Sequence, residues 1–430
     1  MAKDSRLSAE ASPPQVLAVF SFITDEAAAT GGVGLLQRSL DDGAHHIIAR
    51  PFATPPGFQP FKTLSLSDTG RWACLGMHQG ESVLLIGEID DFESRPLRVV
   101  LEDAGEELRG HGEQVILSMR RGRFAVVDST SGEITATWNA RKGLEPPGHK
   151  GEDLWVINQG TQVWVSFQKD SDDGARLGSR LLVMDLPKLE LVHDIPLPRD
   201  RPDLHIKGNF REQGPNPEKI FDSPSTNTVM LTLDLYGAIA FFDRDAALER
   251  GELKDYTVVS AAANGEWGWT FPDRGLLFSV QDQELLLISN AAQNGGLTLF
   301  DVSARKPIMH IPTLSGGETP VQVGDRVSTV LSGKVKSRGE EGLIKIFDPE
   351  NKLVVLDFAA RDEQGRPAVL RHDLVGEPIN ILSVQLEGRV LVLSKVDGMG
   401  RASLIDLLTG EVMQSVELPG APLRVSRWQL

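Results

Sequence analysis

The stretch Phe124-Ala-Val-Val-Asp128, followed by the polar turn Ser129-Thr-Ser-Gly-Glu133 and the alternating run Ile134 to Trp138, decides the fold because it recurs. Each copy is an apolar run that ends in Asp, then a turn, then a second run. The other copies are Leu181 to Asp185 with Leu189 to Leu197, and Ile239 to Asp243 with Tyr256 to Val259. They continue with Leu297 to Asp301 and Ile308 to Ile311, then Leu343 to Asp348 and Leu353 to Phe358, and end with Ser403 to Asp406 and Val412 to Leu418. The six Asp residues lie 57, 58, 58, 47 and 58 residues apart. A unit of this length matches one blade of four antiparallel strands. The apolar period is near two, which excludes helical repeats.

The chemistry of the unit follows from its place in a blade. A strand covered on both faces reads as a continuous apolar run. The Asp closes that run because its carboxylate accepts backbone N–H groups in the next turn. Ser131-Gly132 and Thr409-Gly410 supply turn residues that tolerate positive φ. A further apolar run precedes each copy: Gln114 to Met119, Gln162 to Gln168, Thr228 to Leu235, Glu284 to Ser289, Val327 to Leu331 and Arg389 to Ser394. These are read as the strand before, joined by a hairpin turn such as Lys169 to Gly174 or Asn290 to Gly296.

Weaker copies stand at the N-terminal end. Trp72 to Met77, Val83 to Ile89 and Leu97 to Leu101 make one blade, and Leu17 to Phe22, Gly34 to Leu40 and Ile47 to Phe52 make three strands of another. Pro422 to Leu430 adds one apolar stretch after the last unit. The two chain ends are therefore expected to share a blade and close the ring, which removes free sheet edges. The expectation is an all-β, single closed β-propeller over residues 15–430, preceded by a flexible segment, residues 1–14. Six clear units and two weak ones give eight blades. The short interval from Leu101 to Gln114 leaves seven as the alternative, by merging the weak units.

The copies resemble the repeat of YVTN-type and quinoprotein amine dehydrogenase-like propellers. Arg389-Val-Leu-Val-Leu-Ser394, Ala402-Ser-Leu-Ile-Asp406, Thr409-Gly410 and Val412 to Gly420 carry the likeness, and Leu287-Ile-Ser-Asn290 is the nearest echo of the Tyr-Val-Thr-Asn signature. The resemblance covers most of the chain as architecture. It implies a propeller and leaves function open, since such folds host binding proteins, dehydrogenase subunits and lactonase-like enzymes. The Trp that follows Thr-Gly in quinoprotein alcohol dehydrogenases is not in place: Trp138 falls six residues after Gly132.

Composition narrows the classes. Lys and Arg number 44 against 60 Asp and Glu, a formal charge of −16. Such a chain repels phosphate backbones, so nucleic acid is not an expected partner. No run of about 18 apolar residues marks a membrane span. The single Cys74 lies in the apolar run Trp72 to Met77, where a thiol is inert. Residues 1–14 lack the apolar core of a secretory signal, leaving a cytoplasmic protein or an exported one whose signal was removed.

No motif announces chemistry. His45-His46 point to opposite faces of a strand, and His78, His193 and His310 are read as core or edge residues. Asp170, Asp172 and Asp173 before Gly174 lack calcium-loop spacing, and no metal or cofactor is expected. Gly31-Gly-Val-Gly34 is read as a turn.

Candidate binding residues come instead from long loops, which often carry recognition in β proteins. These are His149 in the loop 143–153, Asp203, His205 and Arg211 in the loop 198–225, and Trp267 and Trp269. The first reading is a non-catalytic recognition or scaffold propeller holding a protein partner or small ligand through its face loops. The alternatives are an enzyme, or enzyme subunit, with a site at the channel mouth, and an exported envelope protein. A mouth gathering two or more of His149, Asp203, His205 and Arg211 would favour the enzyme. A small, apolar lining would count against it.

Overall fold

The structure, a computed structural model, describes residues 15–41, 44–140, 149–169, 179–198, 214–261, 272–290, 295–332, 337–338, 344–345, 350–384 and 386–427. Eight four-stranded antiparallel sheets make the ring. The first strands of blades 1 to 7 are Gln59–Leu66, Gly105–His111, His149–Ile157, Pro217–Asp222, Pro272–Val280, Val321–Val323 and Glu377–Ser383. Blade 8 begins with the last strand of the chain, Ala421–Arg427, and continues with Gln15–Asp25, Thr30–Asp41 and Ala44–Pro51. First strands of neighbouring blades touch one another, most sparsely between blades 5 and 6, so they form the wall of a central channel.

The ring therefore closes as expected. Ala421–Arg427 pairs antiparallel with Gln15–Asp25, in a register running from Ala18 opposite Arg427 to Ile23 opposite Ala421. Eight blades, not seven, are present. The interval after Leu101 holds a full inner strand because residues 102–104 suffice as the connection. Residues 1–14 lie outside the described residues.

Eight buried apolar clusters hold the ring, one between each pair of neighbouring blades. Blade 4 shows why its middle strands are apolar throughout. In Thr228–Leu233, Val229, Leu231 and Leu233 face blade 3, while Met230 faces blade 5. In Ala238–Asp243, Ala240 and Phe242 face blade 3, while Ile239 and Phe241 face blade 5. Outer strands alternate, with Ile134, Val192, Ile308 and Val412 exposed. Trp72 and Trp164 are buried wedges; Trp72 stacks on Phe52 at 4.9 Å, and Trp164 on Phe242 at 6.0 Å between ring centroids. Cys74 is buried, and its burial pushes the thiol well above its usual range, so it stays protonated.

The Asp-ended turns form as read. Asp128 Oδ1 accepts N–H groups of Thr130 and Ser131 at 3.0 and 2.7 Å. Asp406 Oδ1 accepts those of Leu408 and Thr409, both at 2.9 Å. These donors hold both carboxyls below the ordinary range. In blade 4 the same residue type, Asp243, caps the helix Arg244–Arg250 by accepting from Ala246 N at 2.8 Å.

One unit is corrected. Of Leu343 to Asp348 the structure describes Ile344–Lys345, which belongs to no blade. The third strand of blade 6 is Lys352–Arg361, whose run Leu353-Val-Val-Leu ends in Asp357, and Pro367–Asp373 is its outer strand. Among the described residues Ile344–Lys345 pairs only with Ser337–Arg338, in a two-stranded ribbon before that strand. Lys345 explains the choice: a strand covered on both faces has no place for an unpaired charge. The Asp spacings across blade 6 become 56 and 49.

Candidate functional site

Every inner strand opens on the same device. Register shifts place one extra residue after Pro60, Gly105, Gly151, Pro217, Pro272, Pro378 and Pro422. Blade 6 gains its extra residue between Gly317, opposite Leu331, and Val321, opposite Ser328. A bulge bends the strand and re-aims the side chains beyond it. The residue after the bulge is Lys62, Glu107, Asp153, Lys219, Arg274, Thr319, Asn380 and Arg424 in blades 1 to 8. All eight are polar, and six are charged.

Small hydroxyl residues on the second strands seat these bulges. Ser166 Oγ accepts Asp153 N–H at 2.9 Å and donates to Glu218 O of blade 4 at 2.6 Å. Thr232 Oγ1 accepts Lys219 N–H at 2.7 Å. Ser118 Oγ donates to Gly151 O at 3.1 Å, joining blades 2 and 3.

The charged side chains meet across blades 1 to 6. Lys62 Nζ bonds Glu107 Oε1, and Lys219 Nζ stands 3.7 Å from that oxygen and 3.5 Å from Glu218 Oε1. Lys219 of blade 4 reaches Glu107 of blade 2 past blade 3, a path open only on the channel side. Arg274 pairs with Glu318. Arg109 lies over the Trp155 ring, 4.3 Å from its centroid. Asp153 Oδ2 accepts Ile220 N–H at 3.0 Å. Burial raises the Asp153 carboxyl above its ordinary range, opposed by Lys219 and Arg109 and reinforced by Glu107.

The raised value fixes a sign. A carboxyl whose folded pKa exceeds its unfolded one stabilises the fold in acid and costs stability once pH passes the unfolded value near 4. Asp153→Asn keeps an acceptor for Ile220 N–H and removes the buried charge. The variant should be more stable than the parent at pH 8 and equal to it at pH 4, as denaturant melts at both values would register. A loss of stability at pH 8 would show that the ion pairs outweigh desolvation.

Below the ring the channel holds a cavity of about 1020 Å³. Its wall includes Leu64, Arg109, Trp155, Phe221, Leu276, Thr319 and Val425, from seven of the eight blades. His111, Asp222 and Arg427 stand toward its far end. Arg244 bonds Asp222 at 3.1 Å, while burial raises that carboxyl. At the closing seam Ser65 donates two hydrogen bonds to Ser426, from its N–H to Oγ at 2.9 Å and from its Oγ to the carbonyl oxygen at 2.8 Å.

None of the six loop candidates can be placed at this site. Asp203, His205, Arg211, Trp267 and Trp269 lie outside the described residues, and so does the side chain of His149, whose backbone begins the inner strand of blade 3. The calcium-like Asp170, Asp172 and Asp173 also lie outside. His193 and His372 are edge residues bonded to the carbonyls of Leu248 and Leu407 at 2.7 and 3.0 Å. His310 contacts Thr298 Oγ1 at 3.1 Å. Among the described residues no three His, Cys, Asp or Glu side chains are grouped to hold a metal, and no helix is long and apolar enough to cross a membrane.

No protein-family model and no curated protein sequence matches the chain. Solved structures do. The periplasmic gluconolactonase of Pseudomonas aeruginosa shares 14% identity over 96% of this chain and 98% of its own, with a TM-score of 0.51. The quinohemoprotein alcohol dehydrogenase ADHIIG of Pseudomonas putida HK5 shares 11% over 86% of this chain and 69% of its own, at 0.56. BamB of Moraxella catarrhalis shares 12% over 84% and 91%, at 0.50. Identities this low attest the fold alone. What the chain shares with these proteins is the β-propeller, here eight-bladed, and the YVTN- and quinoprotein-like repeat read in its sequence fits that architecture.

Proposed function

We propose that this protein is a recognition propeller whose channel holds a small polar ligand against the ring of post-bulge residues. The observation that carries the reading is the repetition of a polar residue at one register position in all eight inner strands. Partly buried charge costs desolvation, so a wall that only closes the ring is cheaper to build from apolar side chains. The cavity below, about 1020 Å³, suits a metabolite-sized ligand. An aromatic face at Trp155 and hydrogen-bonding groups around it are the usual furnishing of such a site.

A thermal-shift panel of sugar acids, polyols and dicarboxylates tests this. A member present at about 100 times its Kd should raise the melting temperature by about 3 °C. The rise should vanish in a Lys62→Met, Glu107→Leu double variant. A panel inert toward the parent protein, or one acting equally on the variant, would remove the reading. The enzyme alternative uses the same channel, and its specific support is Asp153, a carboxyl biased toward its protonated form beside Lys219. Recovering the ligand after incubation separates the two: an unchanged mass favours recognition, and a changed one favours catalysis.

A protein partner is the second binding reading. The described strand ends that flank 141–148, 170–178, 199–213, 262–271, 291–294 and 333–349 all lie at the face where the inner strands begin, as the antiparallel order requires. The opposite face carries mostly short turns. Pull-down from the native host tests that reading.

A further inference from the structure

The eight ring positions are not equivalent. On blades 1 to 6 the cations Lys62, Lys219 and Arg274 pair with the carboxylates Glu107, Glu218 and Glu318, while Arg109 lies over the Trp155 ring near Asp153. On the remaining arc the ring residues are Thr319, Asn380 and Arg424, from blades 6, 7 and 8. The side chains of these three make no hydrogen bond or ion pair with any described residue. Arg424 is exposed, and it sits on an innermost strand between blades 7 and 1. Both faces of its sheet are covered by neighbouring blades, so the solvent it meets is that of the channel. Thr319 lines the cavity itself.

We infer that this arc seats the anionic end of the channel ligand, with Arg424 as the charge partner and Asn380 and Thr319 as neutral hydrogen-bonding groups. The ligand class is a polar metabolite ending in a carboxylate or phosphate. The inference rests on the channel-ligand reading above and adds its charge and orientation. Two physical facts direct it. A guanidinium presents several donors in a fixed fork and satisfies them best on a carboxylate or phosphate. The protein as a whole carries −16, so an anion has little reason to bind except where a cation stands uncompensated. Of the cations at the post-bulge positions, Arg424 is the one with no carboxylate beside it among the described residues; Arg427, likewise without one there, stands at the far end of the cavity.

A matched six-carbon series tests it by calorimetric titration: glucitol, gluconate and glucitol 6-phosphate. At least one anionic probe should bind the full-length protein about tenfold or more tightly than glucitol. Which of the two does so distinguishes a carboxylate ligand from a phosphate one. Arg424→Gln should erase that gap and leave the melting temperature unchanged, because the side chain it replaces has no partner among the described residues to lose. Arg424→Lys should restore part of the gap. Glucitol binding as tightly as both anions, or a gap that survives Arg424→Gln, would overturn the anionic arc and leave the channel reading standing. Failure of all three probes to bind would count against the channel reading itself.

Discussion

Deleting residues 421–430 should abolish the cooperative thermal transition of this protein and drive the chain to aggregate. Ala421–Arg427 is the inner strand of a blade whose other three strands come from the opposite end of the chain. Without it, Gln15–Asp25 becomes a free edge beside the channel, carrying Val19, Phe20 and Phe22, now 0%, 0% and 5% exposed. Such an edge invites pairing with another chain. The damage spreads to both sides. The two bonds between Ser65 and Ser426 tie blade 8 to blade 1, and Val425 packs in the cluster shared with blade 7. A propeller with one blade opened has no second set of contacts to fall back on, since each blade is covered only by its neighbours.

A circular permutant separates closure from mere length. Arg427 pairs with Ala18, so a short turn joining 427 to 15 makes the seam covalent. Opening the chain between Ser94 and Arg95, in an exposed turn of blade 1, then leaves every other strand pair intact. The permutant should melt cooperatively, and the truncated chain should not. Calorimetry and size-exclusion chromatography read both results. A truncated chain that stays soluble and melts near the full-length temperature would show that the ring does not depend on its terminal strand.

The ring was legible because its physics repeats. Strands such as Phe124 to Asp128 are buried on both faces, and that demand leaves a continuous apolar run and a turn-forming Asp about every 57 residues. Two readings failed: Gly31 to Gly34 is not a turn but the start of the strand Thr30–Asp41, with Gly31 opposite Ile23 and Gly32 opposite Phe22, and at Leu343 to Asp348 the wrong one of two Asp-ended runs standing nine residues apart was chosen. Lys345 held the information that decides between them, because a doubly covered strand cannot hide it. The channel was not legible in the same way. Lys62, Glu107 and Lys219 meet in space but lie 45 and 112 residues apart, and each alone reads as an ordinary surface charge. A signal did exist. Pro60-Phe-Lys62, Gly105-Glu-Glu107, Gly151-Glu-Asp153, Pro217-Glu-Lys219, Pro272-Asp-Arg274, Gly317-Glu-Thr319, Pro378-Ile-Asn380 and Pro422-Leu-Arg424 share one form: Pro or Gly, any residue, then a polar one. It is short enough to pass unnoticed until the bulges give it a register.

The seam also sets up the second large effect, at Gly400. A Cβ there would stand 1.9 Å from the carbonyl oxygen of Gly420, and a Cβ at Gly420 would stand 2.4 Å from that of Ile23. Backbone from blade 7, from the connection into blade 8 and from the N-terminal strand is thus layered with no room for a side chain. The obstacle is main chain and cannot swing aside like a side chain. Gly400→Ala should therefore cost about 3 kcal/mol, at the upper end of overpacking penalties. Gly398, two residues earlier, provides the contrast. It sits in the Asp397-Gly398 hairpin turn at φ +83, and a methyl group added there would meet nothing within 4 Å. Gly398→Ala should cost only the left-handed backbone penalty, about 1–2 kcal/mol. Because Gly400 and Gly420 touch, their double Ala variant should cost less than the two single losses together, the first displacement having already opened the layer. Denaturant midpoints for the two single variants at positions 398 and 400, the single variant at 420 and the double variant measure all of this. Equal losses at 398 and 400 would mean that backbone conformation, and not the close approach of three chain segments, governs the seam.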